Sequence, residues 1–251
     1  MIKAKFKKAV TLLFCFFIPR KIGSIKKILW FLFSRIFVFF LLLTLIFSIV
    51  PVPYSAYMIE KKATSLWQQK NYSIQYQWVS LDKISWKMQM AVIAAEDQKF
   101  KDHFGIDLQA IETAIEHNLS SRKTRGASTI SQQMVKNLYL CSSRSWLRKG
   151  IELPLTLGVE AIWSKARILE VYLNIAEFGK GIFGVEAASQ YFFKKHASQL
   201  TMREASLLAA SLPNPLIFKV NNPRKMMRNK QRWIIHQIYN LGAEEYLKHL
   251  K

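Results

Sequence analysis

The stretch AVIAAEDQKFKDHFG, Ala91 to Gly105, sets small and apolar residues directly against two adjacent carboxylates, Glu96 and Asp97, with Phe100 and His103 following. Its apolar half predicts that a helix, read as Lys83 to Phe100, packs its end into a core. Burial raises a carboxylate's pKa by disfavouring the charged form, while nearby bases pull it down. A glutamate held between those influences can serve as a general base near neutral pH. The plainer alternative is that Glu96 and Asp97 cap neighbouring helices or pair with surplus lysines. Spacing alone does not choose between the two.

Outward from this stretch the pattern is helical almost throughout, so the fold class is mainly α. DLQAIETAIEHNLSS forms a helix with Asp107 as its N-cap, and SSRKTRGA is a polar, basic loop. STISQQMVKNLYL opens a third helix with Ser128 at its cap. RSWLRKGIELPLTLGVEAIWS is longer and is expected to bend at Pro154 and Gly158. The next helix begins at Ser164, and Thr201 with Glu204 makes a capping box that gives Glu204 a structural role. A basic amphipathic helix runs from Pro223 to Leu241, ends at Gly242 and reads mainly as a solvated face. Towards the N-terminus, residues 54–72 form a helix and NYSIQYQWVSLD a short extended connection.

Two further clusters carry chemistry. On a helix starting near Ser128, Thr129, Gln133 and Lys136 share one face, a stripe of hydroxyl, amide and ammonium suited to an oxygen-rich anion. The helix N-terminus and Arg122, Lys123 and Arg125 in the preceding loop add positive potential. A solvated polar face is the competing reading. In RSWLRKGIE, Arg148 and Glu152 are four apart, spaced either for an intrahelical ion pair or for a phosphate contact beside a reaction centre. GKGIFG, Gly179 to Gly184, fits the dinucleotide pattern G-x-G-x-x-G, but a helix precedes it where that fingerprint needs a strand. Its glycines are expected to shape a helix–helix turn. His103 and His117 have no metal-ligand spacing around them.

Lys plus Arg number 37 against 16 Asp plus Glu, a net charge of +21, which predicts attraction to an anion. No acid precedes Glu60, whereas nine bases lie in the first 35 residues. The apolar segment Ile28 to Val52 follows, long enough to cross a bilayer as a helix. With the bases all before it, residues 1–27 are placed in the cytoplasm, 28–52 in the membrane and 53–251 outside as one domain. A cleaved signal peptide is the rival, disfavoured by the length of both the basic and the apolar regions. The earlier apolar run, residues 9–18, is too short to span comfortably. Cys15 and Cys141 then fall on different sides and do not pair.

Taken together, EDQKFKDHFGID, RGASTISQQMVKN, RKGIELPLTLGVEAIWSKARILEVYLN, FGKGIFGVEAASQYFF and REASLLAASLPNP resemble, in order and spacing, the peptidoglycan glycosyltransferases. The resemblance covers roughly Trp67 to Trp233 and, with an anchor and no second catalytic domain, points to the monofunctional form. It implies a lysozyme-like helical catalytic lobe with a small membrane-proximal jaw lobe. The implied substrates are lipid II and the growing glycan strand. The anomeric carbon of the donor joins the 4-hydroxyl of the acceptor with inversion, forming a β-1,4 linkage and releasing undecaprenyl pyrophosphate.

By the same resemblance, Glu96 is the general base and Glu152 a second catalytic carboxylate that stabilises the donor side or helps hold a divalent cation, Mg or Mn. Asp97, Phe100 and His103 shape the site. Thr129, Gln133, Lys136, Asn137 and Arg148 bind substrate, with Lys136 and Arg148 neutralising the leaving pyrophosphate. Ala127 departs from the second glycine common before Ser-Thr in the family. The implied setting is the bacterial cytoplasmic membrane, with cell-wall synthesis or division proteins as partners and no nucleic acid. The alternatives are a muralytic, lysozyme-like or lytic enzyme, for which a pyrophosphate clamp has no use, and a membrane-tethered basic binding module, which has no use for Glu96 and Glu152.

Overall fold

The computed structural model describes residues 25–69, 72–120, 126–143 and 145–250. Cys15, the apolar run 9–18, the first bases and the loop residues Arg122, Lys123 and Arg125 lie outside them. The chain divides into two units, Met1–Val50 and Pro51–Lys251.

The first unit holds helix α1, Ile25–Phe47, long and apolar enough to cross a membrane. It begins before and ends sooner than the expected 28–52. Pro51 lacks an N–H and disfavours helical backbone just before it, which accounts for the early stop. Apolar side chains cover every side of α1: Trp30, Phe33, Ile36, Phe37 and Phe39 are all exposed. Arg35 lays its guanidinium 4.5 Å from the Phe31 ring centre.

The second unit is a helical body. Helix α2, Ala56–Trp67, leads to strand β1, Gln75–Tyr76, and helix α3, Trp86–Glu96. Helices α4, Leu108–Ser120, α5, Ile130–Tyr139, α6, Trp146–Ile162, and α7, Lys165–Ile175, follow. A hairpin of β2, Glu177–Gly179, and β3, Ile182–Phe183, leads to α8, Val185–Phe193. The body closes with α9, Met202–Ser211, α10, Lys225–Asn240, and a 3-10 segment, Ala243–Leu250.

Helix α3 is the centre of the core. Met88, Met90, Ala91, Val92, Ile93 and Ala94 are all buried, apolar on every side because α9, α10 and the C-terminal 3-10 segment pack around them. Each fully buried Met, Ile or Val contributes about 1.5–3 kcal/mol. Helix α5 packs between α6 and α7. Asn174 on α7 is fully buried and bonds both backbone groups of Val79: Val79 N–H donates to its Oδ1 at 2.9 Å, and its Nδ2 donates to the Val79 carbonyl at 2.8 Å.

Several boundaries differ from those predicted. Helix α3 ends at Glu96 rather than Phe100, because Asp97 turns away (φ −159°, ψ 78°) to bond groups elsewhere in the fold. Helix α5 is capped by Thr129, not Ser128: Thr129 and Gln132 make a reciprocal capping box. Asp107 does cap α4, accepting from Ala110 N–H at 2.9 Å. Helix α6 is continuous through Pro154 and Gly158.

The glycines of GKGIFG shape a β-hairpin, not a helix–helix turn. Strand β3 pairs in parallel with β1 and antiparallel with β2. Gly181 has φ +76°, and a Cβ there would lie 2.3 Å from the Ser73 carbonyl oxygen. Gly181→Ala is therefore expected to destabilise the fold by about 1–3 kcal/mol from backbone strain alone, read as a lower thermal midpoint of the purified protein. Gly126→Ala, with open space around its Cβ position and no positive φ, is the matched control.

Candidate active site

The site forms where the buried end of α3 meets the start of α5. Glu96, the last residue of α3, keeps its side chain 12% exposed. Its Oε2 accepts from Gln133 Nε2 on α5 at 2.9 Å, and Gln133 Oε1 accepts from the Tyr172 hydroxyl on α7 at 3.0 Å. An ionised Glu96 can only accept, which turns the amide NH2 towards it and leaves the amide oxygen to accept from the tyrosine. Lys230 Nζ on α10 stands 3.8 Å from Glu96 Oε1. Burial pushes the Glu96 carboxyl above the ordinary glutamate range, and Lys230, Gln133 and Lys136 offset this only in part.

Asp97 is committed to structure. Its Oδ2 accepts from Ile130 N–H at the start of α5 at 2.9 Å, and His103 Nε2 lies 3.0 and 3.1 Å from its two oxygens. This clamp sets the angle between α3 and α5 and so places Glu96 against Gln133. Phe100 is fully buried, in edge contact with His103 and 4.7 Å beneath the Lys165 ammonium. Phe100 therefore shapes the site from within and offers no surface to a substrate.

Two clefts flank this centre. The first, about 350 Å³, is lined by Gln133, Lys136, Asn137, Arg148, Tyr57 and the loop Leu212 to Leu216. The second, about 460 Å³, is lined by Glu96, Asp97, Lys99, Asp107, Trp233 and Gln237 among others. Gln133 lies in one cleft and bonds Glu96 in the other. Lys136, half-buried, has its pKa lowered by desolvation, with Glu152 and Glu96 opposing and Arg148 and Lys149 adding to the drop.

Thr129 leaves the expected stripe. Its hydroxyl donates to the Gly105 carbonyl at 2.6 Å and accepts from Gln132 N–H, so it holds α5 in place and borders the second cleft, while Gln133, Lys136 and Asn137 line the first. Glu152 is 2% exposed and lines neither cleft. Its Oε2 takes Arg148 at 2.5 Å and its Oε1 takes Lys149 at 2.5 Å. The pair is thus intrahelical, and Arg148 still borders the first cleft.

The same geometry tests the divalent cation. A hard cation needs several oxygen ligands. Both oxygens of Glu152 are occupied by cationic side chains, and among the described residues no three His, Cys, Asp or Glu side chains gather to hold a metal ion. The residues present do not fit a protein-built cation site.

Sequence reasoning missed Tyr172 and Lys230. Tyr172 sits in an apolar run where its hydroxyl gives no signal. Lys230 belongs to the basic helix read as a solvated face, and only the packing of α10 against α3 brings it to Glu96.

A family model described as Transglycosylase matches residues 62–239. The biosynthetic peptidoglycan transglycosylase of Haemophilus influenzae is 59% identical over 210 residues, 83% of this chain and 85% of its own. That of Mannheimia succiniciproducens is 58% identical over 209 residues, with the same coverage. That of Shigella sonnei is 56% identical over 206 residues, covering 81% of this chain and 85% of its own. With a family model spanning most of the molecule and relatives this similar over four fifths of its length, this chain belongs to the transglycosylase family.

Proposed function

We propose that this protein polymerises peptidoglycan glycan strands from lipid II, by inverting transfer of the donor's anomeric carbon to the acceptor 4-hydroxyl with release of undecaprenyl pyrophosphate. The observation that carries the reading is the pairing of a buried, proton-affine Glu96 with a separate cationic cleft, joined through Gln133. The relatives' shared name, biosynthetic, favours polymerisation over the lytic alternative. A glycan-cutting enzyme has no use for the clamp of Lys136 and Arg148.

In this reading Glu96 accepts the proton of the acceptor hydroxyl as it attacks. Lys136 and Arg148 face the pyrophosphate as its negative charge grows, where fixed charges in a partly dry cleft act most strongly. Asn137 borders the same cleft and adds an amide. Glu152 is a positioning residue: it acts through Arg148, whose Nε also donates to the Ser143 carbonyl at 2.6 Å. Asp97 and His103 position Glu96 through the backbone of α5. Helix α1 is the single membrane anchor, with residues 1–27 cytoplasmic, the span falling within 28–52, and residues 53–251 outside the cytoplasmic membrane of a bacterium. Partners in a cell-wall synthesis or division complex would meet the protein there.

The test is incubation of the detergent-solubilised protein with purified lipid II, with products resolved by length. Ladders of glycan support the reading; cleavage of preformed glycan without polymerisation replaces it with the lytic one. Tyr172→Phe probes the relay within it. Losing the hydroxyl frees the Gln133 amide to rotate, at a cost of about 1 kcal/mol, so kcat should fall about fivefold with KM little changed. An unaltered kcat would remove Tyr172 from the site.

A further inference from the structure

The second cleft contains more than Glu96 needs in order to be a base. One wall belongs to α10, where Lys230, Trp233 and Gln237 follow at i, i+3 and i+7 and so share a face. Lys230 at 3.8 Å from Glu96 fixes that face towards the carboxylate. Trp233 and Gln237 both line the cleft that Glu96 lines.

The state of these two side chains is unusual for a packed wall. Trp233 is 46% exposed, and among the described residues neither a ring nor a cation packs on its face. Its indole N–H and the Gln237 amide make no hydrogen bond to any described residue, whereas Gln109 and Asp107 across the cleft are engaged with Lys99 and the start of α4. An aromatic face and an unspent amide beside a proton acceptor are what a pyranose ring requires. Such a sugar with equatorial substituents has an apolar C–H face that packs on an electron-rich ring, while its rim of hydroxyl and acetamido groups takes directional hydrogen bonds. A tryptophan supplies that surface at small entropic cost.

We infer that Trp233 and Gln237 form a sugar platform that holds the acceptor's terminal N-acetylhexosamine with its hydroxyl against Glu96, Trp233 stacking on the ring and Gln237 bonding its rim. The inference rests on the polymerase reading for the identity of the sugar. Trp233 is thereby a residue that selects and aligns the acceptor and takes no part in proton transfer.

The experiment uses the full-length solubilised protein, Trp233→Ala, Trp233→Phe and Gln237→Ala. The probe is the soluble disaccharide GlcNAc-β-1,4-MurNAc, with binding read by saturation-transfer NMR and polymerisation of lipid II measured alongside. Trp233→Ala is expected to lose the transfer signal of the sugar ring protons and to raise the apparent KM about tenfold, with kcat changed far less. Trp233→Phe should recover most of both, and Gln237→Ala should weaken the acetamido signal alone; unchanged thermal midpoints exclude misfolding. A parent that gives no disaccharide signal, or a Trp233→Ala protein that binds and polymerises as the parent does, overturns the platform while leaving the polymerase reading intact. A parent that binds the disaccharide through Trp233 yet makes no polymer keeps the platform and removes the polymerase reading.

Discussion

Glu96→Gln is expected to lower the rate of lipid II polymerisation by about 10²–10⁴-fold, the usual contribution of a positioned general base, while leaving the protein at least as stable as the parent. The amide keeps the size of the carboxyl and can still accept from Gln133, so the geometry survives and only the proton acceptor is lost. Stability follows from the direction of the pKa. Burial raises the carboxyl of Glu96 in the folded state above its unfolded value. Its contribution to stability is then fully present below the unfolded pKa and is lost as pH rises through the folded one. At pH 7 the parent carries that loss and Glu96→Gln does not. Thermal midpoints of the two proteins should converge in acid and separate towards neutrality, with the variant higher. Retained polymerisation in Glu96→Gln would remove the residue from the chemistry; a lower midpoint at pH 7 would contradict the burial argument.

The second large effect is expected at Lys136. Replacing it with Met keeps the length and apolar stem but removes the charge that faces the leaving group, and kcat should fall about 10²–10³-fold, as for loss of one fixed electrostatic donor. Arg148→Met should fall in the same direction by less, because Lys136 remains. The pH profile links both residues. Glu96 must be deprotonated, and its raised pKa moves the acid limb of kcat/KM upward; Lys136 must be protonated, and its lowered pKa moves the basic limb downward. The parent should show a bell narrower than ordinary Glu and Lys values would produce. In Lys136→Met the basic limb should disappear and the acid limb remain. A basic limb unchanged in Lys136→Met would assign it to another group.

The burial that perturbs Glu96 has a source in plain sequence. Ala91 to Ala94 pack α3 against α9 and α10 with no polar side chain to bring water in. Within the helical body a segment apolar on all sides is central, and the carboxylate at its end shares that dryness. Asp97, one residue on, is engaged by two partners, His103 and the Ile130 N–H, which is why two adjacent acids take different roles.

By itself the sequence determined the mainly helical class, the long apolar segment near the N-terminus and most caps, and it singled out Glu96, Gln133, Lys136 and Arg148 as candidates. These depend on local periodicity, side-chain competition for helix ends, and motifs whose spacing follows single helices. Only the tertiary structure decided that Thr129 caps a helix while Gln133 faces a cleft, that Glu152 is buried in ion pairs with Arg148 and Lys149, and that the glycines of GKGIFG close a hairpin. It alone brought Tyr172 and Lys230 to the site. Each of those outcomes depends on which distant backbone or side-chain group satisfies a polar atom, and that pairing is settled by packing between elements, about which local pattern carries no information.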